Sequence, residues 1–342
     1  MKTCTCYVVP KYVKDILVND GLMDTTIATE SLELDKFFRL QRSRKSFQLI
    51  SGLANSSPTG TGARTVCDCR NTKRLHKNVL REEDAPPVLD ADANLAYDYV
   101  GIVRDYYKSE LKRDSLDNLG LDLELNIHYE KGYDNAAWNG EVMIFGDGKG
   151  RLFDHFVKGL DVIAHELTHG VVQYTAGLTD DEFPGTLNEH FADVIATAIK
   201  QHHKNENAQT GNWLIGEDIL LPTFPGKALR SLKAPGTAFK NDPQPDNMAN
   251  YQHWDYDPHL NNGIPNKAFY LVAAGDDATQ GIDTQPAAKL WYAALQIMGP
   301  RSNFKDLYNA VHKKALDLAG EDVLPSHAAN AVNNAFKTVG II

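Results

Sequence analysis

The chain has 342 residues, of which 42% are apolar and 23% are charged, proportions typical of a folded globular protein long enough for two domains. Its formal net charge of −10 argues against nucleic acid or an anionic membrane surface as the main partner. No apolar run approaches the roughly 20 residues that a membrane-spanning helix needs. The first ten residues lack the apolar core of a secretory signal, so we expect synthesis in the cytoplasm without a signal peptide.

Residues 1–62 differ in composition from the rest of the chain. A basic cluster at residues 39–45 is followed by residues 51–62, which are rich in Gly, Ser, Thr, Asn and Pro. Such a segment buries little apolar surface and is readily cut by proteases. It is either a linker behind a small N-terminal module or part of a short propeptide that is cleaved between residues 43 and 64.

The four cysteines form two Cys-x-Cys pairs, Cys4 with Cys6 and Cys67 with Cys69. Disulfide bonds would require maturation in an oxidising compartment, and we therefore expect reduced thiols. Neither pair has a His or a further Cys at zinc-finger spacing, so the signal for metal binding by these cysteines is weak.

Residues 63–176 combine strand-like and helical patterns. Apolar residues at helical spacing predict a helix over residues 90–111. Strict alternation over residues 121–129 predicts a half-buried strand, and an apolar run at 141–145 precedes a Gly-Asp-Gly turn. We expect this part of the chain to form a β-rich lobe.

Residues 177–342 are mostly helical in pattern. Helices are predicted over residues 265–274, 284–298, 303–319 and 326–339. Thr284 is predicted to cap the second of them. The whole pattern predicts an α+β fold with a β-rich lobe over 63–176 and an α-helical lobe over 177–342. A cleft between two such lobes is a common place for a ligand.

The most informative motif is His165-Glu166-Leu167-Thr168-His169, an H-E-x-x-H run within apolar residues at helical spacing. Two imidazoles four residues apart on a helix point from one face, so both can bind one Zn²⁺ ion. Glu189, in a second helix-like stretch, supplies a third ligand and leaves one position open. Three protein ligands with an open position are typical of a catalytic zinc site, whereas structural zinc sites close all four positions.

Three further side chains are predicted to assist this site. Glu166 adjoins His165 and is suited to take a proton from the attacking water and pass it to the leaving amine. Asp193, four residues after Glu189, is placed to accept the free N–H of one ligating histidine, although a surface salt bridge is the simpler alternative. Asn188 is expected to do the same for the other histidine.

Several separated segments carry a resemblance to a known family. They are residues 135–140, residues 228–231 and residues 258–267, in this order around the H-E-x-x-H motif. With them the chain resembles the thermolysin family of neutral metallopeptidases, and within it the protealysin-like precursors with a short propeptide. The resemblance implies a two-lobed thermolysin-like fold with the zinc helix between the lobes. It also implies a zinc endopeptidase that is made as a precursor and matured by propeptide cleavage.

The resemblance also assigns roles to individual residues. Asn135 and the backbone of Ala136 would hold a peptide substrate as an added strand, and Arg230 would brace a substrate carbonyl. His259 would stabilise the oxyanion as a second catalytic residue. An apolar pocket that prefers bulky apolar side chains after the cut bond would be lined by Phe153, Phe156, Val162 and Leu229.

The chain departs from the family pattern at the oxyanion site. Asp180 stands where the family usually has a Tyr, and a carboxylate there would repel a developing oxyanion. The acidic partner of His259 is replaced by Trp254, while Asp255 and Asp257 lie close enough in sequence to substitute. The propeptide also differs, with residues 9–12 (Val-Pro-Lys-Tyr) in place of a Pro-Pro-Tyr-like motif.

A third departure concerns the double calcium site of the family. Asp161 and Glu217 are retained, but Lys200, Asn212 and Leu214 replace the other ligands. We expect no calcium there, and we expect the Lys200 ammonium to lie between the two remaining carboxylates.

The leading hypothesis is a monomeric zinc endopeptidase, with one zinc per chain, that cleaves N-terminal to bulky apolar residues. Its partners would be peptide or protein substrates and its own propeptide as an intramolecular inhibitor, and it would act outside the cell after release by a non-standard route. The alternative is a zinc-binding interaction protein with impaired catalysis, Asp180 being the first lesion; the retained Glu166 argues against it. A hydrolase of non-peptide substrates is disfavoured by the substrate-strand segment at Asn135 and Ala136.

Overall fold

The computed structural model describes residues 7–50, 60–253, 257–277 and 279–342. The strands of its main sheet are β1 (Arg64–Thr72), β2 (Val79–Glu82), β3 (Leu123–Tyr129), β4 (Ala136–Trp138) and β5 (Met143–Phe145). These described strands form a mixed sheet in the order β2-β1-β3-β5-β4. Strand β3 runs parallel to both β1 and β5, while β2 and β4 pair antiparallel at the two edges.

Helices dominate the second half of the chain. The helices are α1 (Lys11–Asn19), α2 (Thr25–Ile50), α3 (Ala91–Ser109), α4 (Leu160–Gln173), α5 (Glu182–His203), α6 (Pro258–Asn261), α7 (Gly263–Ala274), α8 (Thr284–Leu295), α9 (Phe304–Gly320) and α10 (Ala328–Thr338). Two short strands, β6 (Leu214–Ile215) and β7 (Arg230–Ser231), pair antiparallel beside them.

Helix α4 joins the two halves of the molecule. It packs against α3 and β4 on the sheet side and against α5 on the helical side, and all of its residues are buried. The order of a sheet-rich half, this central helix and a helical half confirms the predicted α+β fold.

Most predicted elements are present, with some errors at their ends. Strand β3 begins at Leu123, two residues after the predicted start, and is mostly buried instead of half-buried. The prediction that Thr284 caps α8 is wrong: Asp283 is the N-cap residue, and its carboxylate accepts a hydrogen bond from the Thr284 N–H. Asn303 caps α9 in a capping box with Asp306.

The N-terminal residues form more structure than their composition indicated. Helices α1 and α2 are joined by a buried ion pair in which Lys14 Nζ lies 2.7 Å from Asp35 Oδ2, with both side chains inaccessible to solvent. The other oxygen of Asp35 accepts a hydrogen bond from Tyr133 of the main body at 2.8 Å, and Asn135 Nδ2 lies 3.2 Å from Oδ2. A single buried carboxylate therefore ties both N-terminal helices to the rest of the molecule.

The main body begins at about residue 60. The backbone N–H groups of Thr61 and Ala63 both donate to Asp122 Oδ1, at 3.0 and 2.9 Å. Gly60 packs so closely that a Cβ atom there would lie 2.1 Å from the Gly120 carbonyl oxygen. Residues 51–59, which belong to the predicted cleavage region, lie outside the described residues.

The two described cysteines are buried free thiols on β1. Burial raises the pKa of Cys67 to about 11 and that of Cys69 to about 12, so neither presents a thiolate near neutral pH. Cys4 and Cys6 lie outside the described residues. Among the helices that the structure describes, none combines the length and apolarity that a bilayer span requires.

Candidate metal centre

Helices α4 and α5 bring the predicted zinc residues to one point. His165 and His169 project from α4 with their Nε2 atoms 3.0 Å apart. Glu189, from α5, places Oε2 3.2 Å from His165 Nε2 and 3.5 Å from His169 Nε2. All three side chains are fully buried.

The outer nitrogens of both histidines are paired. His165 Nδ1 lies 3.0 Å from Asp193 Oδ1, and His169 Nδ1 lies 2.9 Å from Asn188 Oδ1. An acceptor at each Nδ1 favours a proton there, so the two Nε2 atoms, 3.0 Å apart, are the nitrogens left to bind a cation. Either a metal ion or a proton on His165 Nε2 can supply the positive charge that these atoms and the carboxylate require.

One oxygen of the Glu189 carboxylate lacks a partner. Oε1 of Glu189 is buried and has no hydrogen-bond partner among the described residues. A buried carboxylate oxygen without a donor is costly unless a cation compensates it. Two imidazoles and one carboxylate are the donor set of catalytic zinc sites, so these residues fit a zinc ion.

The electrostatic environment shifts the pKa values of His165 and His169 in opposite directions. Burial opposes a charge on His165, but its contacts with Asp193 and Glu189 outweigh burial and raise its pKa to about 9. Burial and the neighbouring His165 lower the pKa of His169 to about 3, against the attraction of Glu189. Burial likewise raises the pKa of Glu166, the predicted base, to about 7.

Asp193 is the centre of a larger network than the sequence indicated. Besides His165, it binds the Arg230 guanidinium through two contacts of 2.8 Å. Asn262 and Asn266 also donate to Asp193 Oδ2, at 2.8 and 2.9 Å. Both asparagines lie in the 258–267 segment, but only its histidine was singled out from the sequence.

His259 lies beside the zinc residues. Its Nδ1 atom is 2.8 Å from Asp257 Oδ1, so Asp257, one of the two predicted substitutes, is its acidic partner. Its Nε2 atom is 2.9 Å from Glu189 Oε2. Burial disfavours the charged imidazole, but Glu189 and Asp257 raise the pKa of His259 to about 9. Trp254 and Asp255 lie outside the described residues.

The predicted substrate residues contact the chain's own N-terminus. Asn135 accepts a hydrogen bond from the Val9 N–H at 2.8 Å and donates to the Val9 carbonyl at 3.1 Å. Arg230 Nη1 donates to the Val8 carbonyl at 2.8 Å. The Tyr7 ring lies 5.4 Å from the His259 ring. The N-terminal segment Tyr7–Val9 thus lies against several predicted substrate and catalytic residues, which no local sequence signal indicated.

The remaining predicted substrate residues are buried. Ala136 begins the edge strand β4. The four residues predicted to line an apolar pocket are inaccessible to solvent and belong to the same apolar cluster as Val8 and Val9. They are Phe153, Phe156, Val162 and Leu229.

The Asp180 carboxylate has a cationic partner from the N-terminal helices. Its carboxylate forms an ion pair with Arg42 of α2, and both side chains are at least nine-tenths buried. The Arg42 guanidinium also acts electrostatically on Glu166 and His169, lowering the pKa of each. The negative charge predicted to disturb the oxyanion site is therefore offset by a residue of the N-terminal helices.

At the position of the family's double calcium site, Lys200 Nζ lies 2.8 Å from Asp161 Oδ2, with both side chains buried. The ammonium also donates to the Leu214 carbonyl. The expected contact of Lys200 with Glu217 is not made, because Glu217 instead accepts a hydrogen bond from Asn212. The amide thus pairs with Glu217 and the ammonium with Asp161, whose Oδ1 atom has no hydrogen-bond partner among the described residues.

Comparison with known proteins identifies the family. Residues 34–173 match the family described as "Thermolysin metallopeptidase, catalytic domain", and residues 176–341 match "Thermolysin metallopeptidase, alpha-helical domain". The chain belongs to the thermolysin metallopeptidase family. This thermolysin-family chain is therefore a metalloendopeptidase of a zinc-dependent family, as the sequence predicted.

Individual relatives cover most of the chain. An extracellular metalloprotease of Pectobacterium carotovorum subsp. carotovorum is 35% identical over 305 residues, which are 85% of this chain and 84% of the relative. Protease PrtS of Photorhabdus sp. (strain Az29) is 33% identical over 334 residues, 94% of this chain and 86% of the relative. The solved precursor of protealysin, a metalloproteinase from Serratia proteamaculans, has a TM-score of 0.81 and 33% identity, and the match covers 98% of this chain and all of that one.

Proposed function

We propose that this thermolysin-family metallopeptidase binds one zinc ion through His165, His169 and Glu189. The observation that carries the proposal is the convergence of two Nε2 atoms, 3.0 Å apart, on a buried carboxylate whose second oxygen has no partner in the described structure. A zinc ion there supplies Lewis acidity, which polarises the peptide carbonyl and acidifies water. The residues around it bind the substrate and move the protons.

Glu166 acts as the general base in this proposal. It follows His165 on α4 and is fully buried, so its carboxylate is held at the site without competing solvent. Its position suits it to accept the proton of the attacking water and to return that proton to the leaving amine.

His259 and Arg230 act on the substrate carbonyls. Asp257 holds His259 by Nδ1, so that Nε2 faces the metal residues and can donate to a developing oxyanion. Asp193 holds Arg230 by two oxygens and leaves Nη1 to donate to a carbonyl, as it does to Val8. Loss of one oxyanion donor typically costs about 2.7–4 kcal/mol of transition-state stabilisation.

The substrate adds to the edge strand β4, held by Asn135 and the backbone of Ala136. The cut falls N-terminal to a bulky apolar residue, whose side chain enters the pocket of Phe153, Phe156, Val162 and Leu229. The apolar character of these four residues, and the contact between the Phe153 and Phe156 rings at 5.8 Å, support this preference.

The N-terminal residues act as an intramolecular inhibitor. Val8 and Val9 are hydrogen-bonded by the same two side chains that we assign to substrate binding, so a substrate cannot occupy those groups until the segment leaves. We therefore assign residues 1–62 to a propeptide, 63–176 to the catalytic lobe that ends after the zinc helix, and 177–342 to the helical lobe. The mature enzyme acts as a monomer on peptide and protein substrates. The extracellular relative supports action outside the cell, after release by a non-standard route.

The test compares substitutions at the site in the matured chain. Wild type should hydrolyse a furylacryloyl peptide with an apolar residue after the scissile bond, and Glu166→Ala should lose about 10²–10⁴-fold in kcat while still binding one zinc at the site. His169→Ala should lose that zinc, whereas His259→Ala should keep it and lose rate. Glu321→Gln, at an exposed carboxylate that follows α9, is the control.

The proposal fails if matured wild type with zinc bound shows no turnover, which would favour the impaired interaction protein. It also fails if His259→Ala loses this zinc while His169→Ala keeps it, because the ligand set would then be a different one.

A further inference from the structure

A second group of imidazoles and carboxylates lies in the N-terminal half, built by elements that do not contribute to the zinc residues above. One ligand atom from each of Asp92, His128, Asp147 and His155 can be chosen so that all lie within 4.8 Å of one another. Asp92 lies in the first turn of α3, His128 near the end of β3, and Asp147 in the loop after β5. His155 directly precedes a short 3₁₀ turn.

The contacts within this group are close. His128 Nδ1 lies 2.8 and 2.9 Å from the two oxygens of Asp147. His155 Nδ1 contacts the Asp92 carboxylate and lies 3.8 Å from Asp147 Oδ1. The two rings meet edge to face at 6.0 Å. Asp147 therefore stands between two imidazoles, and Asp92 meets the same nitrogen of His155 that faces Asp147.

A fifth residue orients one of the histidines. Asp90, the N-cap residue of α3, places Oδ2 3.2 Å from His128 Nε2, opposite the nitrogen that faces Asp147. A carboxylate at the outer nitrogen of a ligating histidine is the arrangement that fixes its tautomer in metal sites. His165 and Asp193 show the same arrangement in the main site.

The charge of the group is unbalanced. In the described residues, no Lys or Arg lies within ion-pair distance of Asp90, Asp92 or Asp147, whose only ion-pair partners are the two imidazoles. A hydrogen bond with Asp147 raises the pKa of His128 to about 9, so a proton competes with a metal for this nitrogen. Protonated imidazoles bridging the carboxylates are the rival explanation.

The loop that carries Asp147 is held in place on both sides. A Cβ atom at Gly146 would lie 1.9 Å from the Tyr133 carbonyl oxygen, and one at Gly148 would lie 2.4 Å from the Phe153 carbonyl oxygen. The Phe156 N–H donates to the Gly146 carbonyl at 3.1 Å, which fixes the segment of His155 to the same loop. The ligand atoms are thus pre-positioned by backbone packing.

We propose that Asp92, His128, Asp147 and His155 form a second, structural site for a divalent ion of the zinc class, with Asp90 orienting His128. Two imidazoles and two carboxylates favour zinc, cobalt or nickel over calcium, which prefers oxygen ligands only. Four protein ligands leave no open position, so the ion joins α3, β3 and the β5 loop and takes no part in peptide hydrolysis.

The experiment counts zinc in the full chain, in a Glu166→Gln background that limits self-digestion. After dialysis against micromolar Zn²⁺, the background protein should hold two zinc ions per chain. His155→Asn and Asp92→Asn should each hold one, whereas His76→Asn should still hold two. His76 is the matched control, since its Nδ1 lies 2.8 Å from a single carboxylate, Glu124, outside the group.

A second measurement isolates the new site from the main one. In a His165→Asn variant, which lacks a main-site ligand, added Zn²⁺ should still raise the melting temperature, and His155→Asn should abolish this rise. Calcium should produce none. One zinc per chain in the background protein, or two zinc ions in both His155→Asn and Asp92→Asn, would overturn the proposal in favour of a protonated ion-pair cluster.

Discussion

Arg42 and Asp180 show how one residue of the N-terminal helices completes the site. Asp180 replaces a neutral tyrosine of the family, and its buried carboxylate is paired by the Arg42 guanidinium. Removing one partner of a buried ion pair leaves an uncompensated charge, at a cost of about 3–5 kcal/mol. The N-terminal helices and the catalytic body are thus linked by a buried ion pair.

Arg42→Ala should therefore weaken the hold of α2 and speed maturation of the precursor. The matched control is Lys45→Ala, one turn further along α2, whose ion pair with Glu141 is half exposed. Such exposed pairs contribute only about 0–1 kcal/mol. The appearance of the shortened chain is followed by gel electrophoresis and N-terminal sequencing. Equal maturation rates in the two variants would contradict the role of Arg42.

For individual residues, the sequence predicted contacts between residues that are near one another in the chain and missed contacts between residues that are far apart in it. The four-residue spacing of His165 and His169, and of Glu189 and Asp193, follows from helix geometry, and the structure has these residues close together. The Arg42–Asp180 pair spans 138 residues, so no spacing rule could indicate it. The same holds for Val8 and Val9 against Arg230 and Asn135.

The ion pairs that hold individual elements in place differ in how far they are buried. Glu83, after β2, binds the guanidinium of Arg64 at the start of β1, with contacts of 2.6 and 2.7 Å, and also accepts from Arg104. The hydrogen bond from Arg64 is the largest influence on Glu83, and it lowers the pKa from 4.5 to about 2. Glu83, Arg64 and Arg104 thus hold the start of β1 against α3 and the residue that follows β2.

Glu83→Gln should destabilise the protein in a pH-dependent way. Because the folded pKa is depressed, the stabilisation is fully present above about pH 4.5 and is lost as the pH falls toward 2. Urea unfolding should show wild type more stable than the variant at pH 7, with a difference that shrinks below pH 4.5. Glu82→Gln, an exposed neighbour without an ion pair in the described structure, should show no such trend.

The Lys200 side chain on α5 leads to a prediction of how calcium removal affects the melting temperature of the protein. Its ammonium neutralises the buried Asp161, which also accepts from the Gly216 N–H at 3.0 Å. A calcium-selective chelator, with free zinc held constant by a zinc buffer, should therefore leave the melting temperature unchanged. A large drop would show that calcium binds despite the lysine.

Lys200→Met, by contrast, should lower the free energy of unfolding by about 3–5 kcal/mol, because it leaves Asp161 buried without a counterion. Lys204→Met, in the exposed residue that follows α5, should have little effect. Denaturant unfolding of the two variants measures the difference.

The sequence failed to predict two helices that depend on tertiary contacts with the rest of the molecule. Helices α1 and α2 belong to the residues assigned to a small N-terminal module or propeptide, for which no helix was predicted, and they are fixed through Asp35 to Tyr133 and Asn135. Isolated helices are marginal without tertiary packing, so local patterns report them poorly. Helices with a clear apolar face, such as α9, were predicted to within a residue or two.

For the molecule as a whole, the proposed maturation would separate two units at a boundary that the structure narrows. Helix α2 continues to Ile50, and residues from Thr61 onward are hydrogen-bonded to the main body. Residues 51–62 are rich in Gly, Ser, Thr, Asn and Pro, a composition that proteases readily cut. The mature N-terminus should therefore fall between residues 51 and 60, a narrower range than the sequence alone gave.

N-terminal sequencing of the form that accumulates at neutral pH measures this boundary. Glu166→Ala should show no such form when kept pure, if the chain processes itself. A mature N-terminus beyond residue 64, inside β1, would contradict the assignment.

Strand β4 carries a consequence for the enzyme after maturation. It lies at the rim of the sheet, yet its residues Ala136, Ala137 and Trp138 are uncharged and almost completely buried. Exposed rims of β-sheets usually carry charges or prolines that prevent chains from stacking onto one another. Here α2 packs on that rim, and a side chain at Gly140 would meet the helix backbone, 3.0 Å from Arg42 Cα.

The N-terminal helices thus shield the apolar edge strand β4 from other chains. In the proposed mature enzyme, a bound peptide substrate would cover this strand instead. Light scattering should detect greater self-association in the substrate-free mature enzyme than in the precursor, and a strand-forming peptide inhibitor should reverse it.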